Sequence, residues 1–281
     1  QDISNEAAGV TVEVPVDLQL PESASNAVVK QFIWGDNNQP ETVNTLRTSD
    51  ATNTNIFIVG DSTVATYDYA TYYPQTGWGQ MLGNYFNNVT VRNYAIPGSS
   101  LKQSYKRGVL DEVLNEAQAG DFLLIQFAHN DSKFTDLWYS DAISDYRAYL
   151  KHYAQLAQSK GMTPIFVTSP MRRVNSVFGG TSSLISYADE MKSVGRELDI
   201  PVVDLLSKSV ELVDCLTEND PDGAKKLYLF LDANDSRYFG EGSEYTSSVY
   251  NTSSGVSDNT HFCAFGADTL RCCLQPIMSG I

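Results

Sequence analysis

A serine follows the first strongly apolar run of the chain. The run is residues 56–59 (IFIV), and Gly60, Asp61, Ser62 and Thr63 come directly after it. Its length and β-branched content predict a buried strand, and in open α/β folds ligands bind at the carboxyl ends of the strands. A hydroxyl there can serve as a nucleophile. Taken alone, these residues more often form a plain turn, in which serine caps a helix.

A serine nucleophile needs a base and a group that orients the base. The chain has three histidines. His152 lies near the exposed side of an amphipathic helical pattern, and His129 follows a predicted strand and can line a cleft. His261 comes three residues after Asp258, a spacing that lets the carboxylate hold Nδ1–H while Nε2 faces a serine hydroxyl. Taken alone, an Asp-x-x-His pair is a weak signal that more often marks a core or surface histidine.

The oxyanion of an acyl transfer also needs hydrogen-bond donors. Gly98 lies in the loop 95–100 after the second strand and can bring a backbone N–H close to a ligand. Asn130 follows the third strand and offers a side-chain amide. These donors and Ser62 follow three consecutive strands, with the base on the last loop, which favours one composite site. We interpret Asp61 as a structural residue of its turn, and Asp258 as the carboxylate of the site.

The elements that must position these residues alternate between strand and helix from residue 54 onward, which predicts a parallel sheet covered on both faces. We expect a three-layer α/β/α flavodoxin-like sandwich with a five-stranded parallel sheet. The segment 207–257 is rich in Asp, Asn, Ser, Gly and Tyr and is interpreted as a long functional loop. The predicted strands are about 54–60, 89–94, 121–127, 163–168 and 200–205, and the predicted helices about 77–87, 105–118, 141–160, 184–199 and 264–274.

Residues 1–52 differ from the rest and are predicted to be a small β-type extension or the remnant of an accessory module, with 53–281 as the main domain. Valines alternate over 10–16, and 27–34 is a second strand pattern. Its Phe-x-Trp end resembles the closing strand of β-sandwich accessory modules in secreted polysaccharide-degrading proteins. The role of this region stays open.

Composition excludes several classes of function. The net charge of -15 argues against nucleic acid and anionic membrane surfaces as partners. No apolar run reaches the ~20 residues of a membrane helix, and the first residues lack signal-peptide features, so we expect any such peptide to have been removed. No zinc-type spacing or phosphate loop occurs, and no cofactor is expected.

The chain has four cysteines, Cys215, Cys263, Cys272 and Cys273. They allow three full pairings, and the sequence does not choose between these.

The order of these motifs resembles the SGNH, or GDSL-type, hydrolases. Within that superfamily, residues 74–80 (PQTGWGQ) and 127–131 (FAHND) resemble the rhamnogalacturonan acetylesterases, family 12 of the carbohydrate esterases. Ala128 departs from the glycine usual there, which should tighten the turn and keep the Asn130 donor. The resemblance implies the following roles: Ser62, Asp258 and His261 as catalytic residues, and Ser62, Gly98 and Asn130 as the oxyanion hole.

The resemblance implies a secreted serine esterase that removes O-acetyl groups from pectic polysaccharide, rhamnogalacturonan above all. Because galacturonate is anionic and the chain acidic, basic groups are expected near the cleft. The predicted substrate contacts are His129, Trp78, Arg172 and Arg173. The alternatives are an esterase of the same fold acting on xylan or other short acyl esters, and a catalytically silent carbohydrate-binding protein. A monomer is favoured, while the acetyl position and a structural calcium stay open.

Overall fold

The computed structural model of the chain describes residues 30–34, 40–45, 54–86, 89–173, 182–218, 220–232, 255–272 and 274. Near the N-terminus, β1 (Lys30–Trp34) pairs antiparallel with β2 (Pro40–Thr45). β1 falls within the second strand predicted for this region. The alternating valines at 10–16 lie outside the described residues, and the division of the chain at residue 52 stays a prediction.

The main domain begins with β3 and alternates strands with helices. Its strands are β3 (Thr54–Gly60), β4 (Val89–Asn93), β5 (Phe122–Gln126), β6 (Thr163–Val167), β7 (Val202–Val203), β8 (Tyr228–Leu231) and β9 (Val256–Phe262). Its α-helices are α1 (Tyr69–Tyr72), α2 (Trp78–Leu82), α3 (Leu101–Lys106), α4 (Val109–Glu116), α5 (Arg147–Ser159), α6 (Ser182–Leu198), α7 (Leu205–Thr217) and α8 (Ala264–Cys272). A π-helical turn, Ala142–Tyr146, leads into α5.

The central sheet has five parallel strands in the order β4-β3-β5-β6-β7. This confirms the predicted five-stranded flavodoxin-like arrangement. The chain passes from β3 to β4 on one side and then returns to place β5 on the other side. The order therefore reverses next to β3, and such a switch point opens a crevice at the carboxyl ends of the strands.

The central strands β3 and β5 contain unbroken apolar runs because both faces of the sheet are covered there. Residues 56–59 of β3 have no exposed surface, and their side chains alternate between two core clusters. Phe57 and Val59 belong to the cluster that contains buried residues of α3, α4, α5 and α6. Ile56 and Ile58 belong to the cluster with buried residues of α2 and α8. This packing fixes where the loops after the strands emerge.

Two predictions of secondary structure need correction. The single helix expected at 105–118 is two helices, since Gly108 has a left-handed φ of +76° between α3 and α4. The loop expected over 207–257 contains most of α7, together with β8 and the start of β9. β8 and β9 form an antiparallel pair that carries the Asp258–His261 segment.

Among the described residues, no helix is long and apolar enough to cross a membrane. Cys215 carries an exposed free thiol, so the structure gives no support to a bridge from this position. The Cys263 thiol donates to the Lys226 carbonyl at 3.0 Å. Cys273 lies outside the described residues.

Candidate active site

The turn after β3 is held by Asp61. This fully buried carboxylate accepts hydrogen bonds from the backbone N–H of Thr63 at 2.9 Å and from its hydroxyl at 2.7 Å. Gln126, at the end of the neighbouring β5, donates to the other oxygen at 3.4 Å. Burial raises the pKa of Asp61, although the Thr63 bonds act in the opposite direction. These contacts agree with a structural role for Asp61, which leaves Ser62 at the edge of the sheet.

Ser62, His261 and Asp258 form one hydrogen-bonded chain. His261 Nε2 lies 2.7 Å from Ser62 Oγ, and His261 Nδ1 lies 2.6 Å from Asp258 Oδ2. The second oxygen of Asp258 accepts from the backbone N–H groups of Thr260 at 2.8 Å and His261 at 3.0 Å. These backbone bonds fold the end of β9 so that the carboxylate meets an imidazole only three residues away.

The surroundings of Asp258 keep its carboxylate ionised. Burial acts to raise its pKa, but the hydrogen bond from the His261 ring, the histidine charge and the two backbone N–H bonds outweigh burial, so the pKa lies below its ordinary value. An anion against Nδ1 favours the tautomer with the proton on that nitrogen. Nε2 is then free to accept the Ser62 proton, as a general base must.

Gly98 lies in an exposed turn beside the end of β3. Its φ is +77°, which glycine adopts without the steric cost of a side chain. The N–H of Ile96 donates to the Gly60 carbonyl at 3.0 Å, and the N–H of Ser99 donates to Ile96 at 3.1 Å. The loop is therefore bonded to the strand that delivers Ser62.

Asn130 is oriented by a bond at each end of its amide. Its Nδ2 donates to the Ser99 carbonyl at 3.0 Å, and its Oδ1 accepts from Lys133 Nζ at 2.7 Å. An amide nitrogen carries two hydrogens. One is used on the loop that contains Gly98, and the second is available to an oxygen atom bound in the site.

Asp131 makes a second contact between the loop after β5 and the loop that carries Gly98. Its Oδ1 accepts from the backbone N–H of Leu101 at 2.9 Å, at the start of α3. Burial raises the pKa of Asp131 to about 8; the Leu101 bond lowers it, and the nearby charge of Asp61 raises it further. The carboxyl group is therefore largely protonated at neutral pH.

Ala128 has a φ of +156°, in a region of backbone space that L residues rarely adopt. Its carbonyl accepts from the N–H of Ser132 at 2.9 Å, which closes the turn around Asn130. With alanine at this position, the Asn130 amide still donates to the Ser99 carbonyl; the tightening of the turn relative to glycine stays a prediction.

Three of the four residues predicted to contact substrate are buried, and their contact with a substrate stays a prediction. Trp78 has no exposed surface and donates its indole N–H to Gln126 at 2.8 Å. Arg172 is buried, and its guanidinium donates to the His129 carbonyl at 3.1 Å. His129 is 2% exposed, and burial, followed by the charge of Arg172, lowers its pKa well below the ordinary value. These side chains support the walls of the site from inside.

Arg173 is half-buried and contacts the segment that carries His261. Its backbone N–H donates to the Asn259 carbonyl at 2.9 Å, and its Nε donates to Asn259 Oδ1 at 2.7 Å. The guanidinium carbon lies 4.7 Å from the centre of the Phe230 ring on β8. Arg173 therefore holds the segment between Asp258 and His261, a contact that the sequence did not predict.

The described residues contain no group of three or more His, Cys, Asp or Glu side chains suited to hold a metal ion. The functional groups that the site brings together are a serine hydroxyl, an imidazole, a carboxylate and amide hydrogen-bond donors. This set suits acyl transfer.

Comparison with known proteins identifies the family of the chain. The GDSL-like Lipase/Acylhydrolase family matches residues 58–233, which begin inside β3 and include Ser62, Gly98 and Asn130. The chain belongs to this family. As a GDSL acylhydrolase it is a carboxylic ester hydrolase, and its five-stranded sheet is the fold expected of one.

Two relatives of this GDSL hydrolase come from Bacillus subtilis. Rhamnogalacturonan acetylesterase RhgT is 35% identical over 75% of this chain and 84% of its own length. The probable rhamnogalacturonan acetylesterase YesY is 32% identical over 76% of this chain and 88% of its own length. The crystal structure of YxiM from the same organism superposes with a TM-score of 0.60 at 23% identity, covering 83% of this chain and 58% of YxiM.

Sequence reasoning missed three residues that shape the site of this GDSL hydrolase. Lys133 donates a hydrogen bond to the Asn130 amide, and the Asn259 side chain accepts one from Arg173. Gln126 accepts from the Trp78 indole and donates to Asp61 in the turn after β3. Each lies within four residues of a site residue or at a strand end. Position alone could have marked them for inspection, but their partners depend on how the loops meet.

Proposed function

We propose that this chain is a serine esterase that removes O-acetyl groups from pectic polysaccharide, with rhamnogalacturonan as its substrate. The observation that carries the mechanism is the continuous chain from Ser62 through His261 to the ionised Asp258 at the switch point of the sheet. The similarity to RhgT supports the substrate. A catalytically silent binding protein would have no need of this proton path.

In the proposed course, His261 Nε2 takes the proton of Ser62 Oγ as this oxygen attacks the acetyl carbonyl. The oxyanion receives hydrogen bonds from the N–H groups of Ser62 and Gly98 and from Asn130 Nδ2. His261 then gives this proton to the ester oxygen of the sugar as its bond to the acetyl carbon breaks, so the sugar departs with a free hydroxyl and Ser62 is left acetylated. Water, deprotonated by His261, releases acetate and regenerates the serine.

The proposed substrate also indicates where the enzyme acts. A polymer of the plant cell wall is met outside the cell, and we infer that the protein is secreted. The net charge of -15 would repel galacturonate over most of the surface. Binding then depends on local cations, and the half-buried Lys102 lies in the first turn of α3, directly after the loop that carries Gly98.

The test is release of acetate from acetylated rhamnogalacturonan, acetylated homogalacturonan and acetylated xylan, with the wild type and Ser62→Ala compared on each. We expect release that is fastest from rhamnogalacturonan and is abolished by the substitution. Equal rates for the two proteins would refute the serine mechanism. A preference for xylan would refute the proposed substrate and leave the mechanism standing.

A further inference from the structure

Lys133 makes an unusual contact for a cation in so acidic a chain. The protein has 34 Asp and Glu residues against 19 Lys and Arg, so carboxylate partners are abundant. Within the part of the chain that the structure describes, other lysines such as Lys102, Lys151 and Lys192 form ion pairs. Lys133 instead places its half-buried ammonium 2.7 Å from the neutral amide oxygen of Asn130.

The turn after β5 enforces this contact. The N–H of Lys133 donates to the Asn130 carbonyl at 3.2 Å, and the N–H of Ser132 donates to Ala128 at 2.9 Å. These bonds fold the backbone back on itself, so the lysine side chain returns to the amide three residues earlier. Asn130 is itself buried, whereas Lys133 is half-buried.

From this geometry we propose that Lys133 is a positioning residue of the oxyanion hole, which orients and polarises the Asn130 amide. The inference rests on the proposed function. Two atoms of the amide are fixed, Oδ1 by Lys133 and Nδ2 by the Ser99 carbonyl. With Oδ1 fixed, the amide does not turn its oxygen toward the developing oxyanion, and one N–H stays directed into the site.

The charge of Lys133 adds to this orientation. Hydrogen bonds with an ionised donor are roughly twice as strong as neutral ones, and bonds in series polarise one another. An ammonium on Oδ1 draws electron density from the amide and makes its N–H a better donor. The benefit grows as negative charge develops on the acetyl oxygen, so it belongs to the transition state and appears in kcat.

The direct test is Lys133→Met assayed on 4-nitrophenyl acetate, a neutral ester that offers no carboxylate to bind. Loss of a whole oxyanion donor costs roughly 10²–10³ in kcat, and loss of its polarising partner should cost less. We expect kcat to fall about tenfold, with KM and the thermal unfolding midpoint close to those of the wild type. Lys133→Arg keeps a cationic donor and should recover most of the rate. Lys151→Met, which removes a half-buried lysine paired with Glu197, is the matched control.

A double-mutant cycle separates this role from others. If Lys133 acts through the amide, Lys133→Met has no further effect in an Asn130→Ala background. Additive losses would refute the coupling. Unchanged kcat on the neutral ester, with a raised KM only for acetylated rhamnogalacturonan, would mean that Lys133 contacts the polymer directly, and would equally refute the proposal.

Two further outcomes keep the inference distinct from the proposed function. A wild type without esterase activity on any acetyl ester would overturn the proposed function itself. An active wild type with unaffected Lys133→Met would overturn only the role of Lys133. If Lys133→Met fails to fold, Lys133→Gln, which keeps a neutral donor, takes its place, and wild-type kcat in that variant would exclude a role for the charge.

Discussion

Arg173 is joined to Asn259 by two hydrogen bonds, one from its backbone N–H at 2.9 Å and one from its side-chain Nε at 2.7 Å. Asn259 lies between the carboxylate and the imidazole of the proposed triad. The loop after β6 therefore holds the segment that delivers His261 to Ser62. Sequence reasoning placed Arg173 against the substrate, and the structure gives it a mechanical role as well.

Replacing Arg173 with alanine should lower kcat for 4-nitrophenyl acetate, because the Asp258–His261 segment loses an anchor. Hydrogen bonds to a charged group contribute about 1.5–3 kcal/mol, so a loss of about 1–2 kcal/mol in unfolding free energy, measured in urea, should accompany it. Arg173→Lys keeps the charge but not the guanidinium geometry, and we expect it to resemble the alanine variant. Normal kinetics on the neutral ester, with a raised KM for rhamnogalacturonan alone, would instead favour the substrate contact.

The fold was largely predictable because its signals are local. The buried strands are short apolar runs with β-branched residues, and those patterns fall within two residues of the observed strand ends. The helix α7 was missed although Asp204 caps it and Leu205, Leu206, Ser209 and Val213 form its buried face. The polar composition averaged over 207–257 obscured that local pattern.

The sequence predicted which strand ends carry the site residues, but it did not predict the burial and hydrogen-bond partners of the side chains around them. Parallel strands bring their carboxyl ends to one edge, so Ser62, Gly98 and Asn130 had to lie near one another. Burial of Trp78 and Arg172 depends on which helices cover them, and no spacing in the sequence encodes this. The cationic partner of Asn130 likewise depends on the backbone path through Ala128, whose φ of +156° could not be anticipated.

The bond between Trp78 and Gln126 predicts a stability effect in the core. Gln126→Leu leaves the buried indole N–H without its acceptor, which costs about 1–3 kcal/mol. Urea unfolding would measure the loss. Trp78→Phe in the same background removes the unsatisfied donor and should recover part of it. Additive losses in the double variant would show that the bond contributes nothing.

The carboxylate of Asp258 predicts a loss of activity without a loss of fold. Asp258→Asn keeps the shape but removes the charge that favours a proton on His261 Nδ1, so kcat should fall by roughly 10³–10⁴. The assay is 4-nitrophenyl acetate hydrolysis, with circular dichroism to compare the folds. Asp145→Asn, on an exposed ion pair with Lys102, should keep nearly full activity. Loss of less than tenfold in Asp258→Asn would exclude Asp258 as the orienting carboxylate.

The protonated Asp131 predicts how stability changes with pH. Its folded pKa is about 8 against an ordinary 3.8, so between these values the folded chain holds a proton that the unfolded chain has released. The free energy of unfolding therefore falls as pH rises through this window. Asp131→Asn cannot ionise and keeps an acceptor for the Leu101 N–H. Relative to the wild type, the unfolding midpoint of this variant should rise progressively from pH 4 to pH 8.

Thermal unfolding at pH 4, 6 and 8 would measure this difference, with Asp111→Asn on the exposed face of α4 as the control. The control should stay at a constant offset from the wild type across the three values, because it removes a carboxylate that solvent already surrounds. A constant offset for Asp131→Asn as well would mean that the pKa of the Asp131 carboxyl group is not raised in the folded protein. In that case, the two loops that carry Gly98 and Asn130 would be tied by a charged link and not by the neutral one inferred from burial.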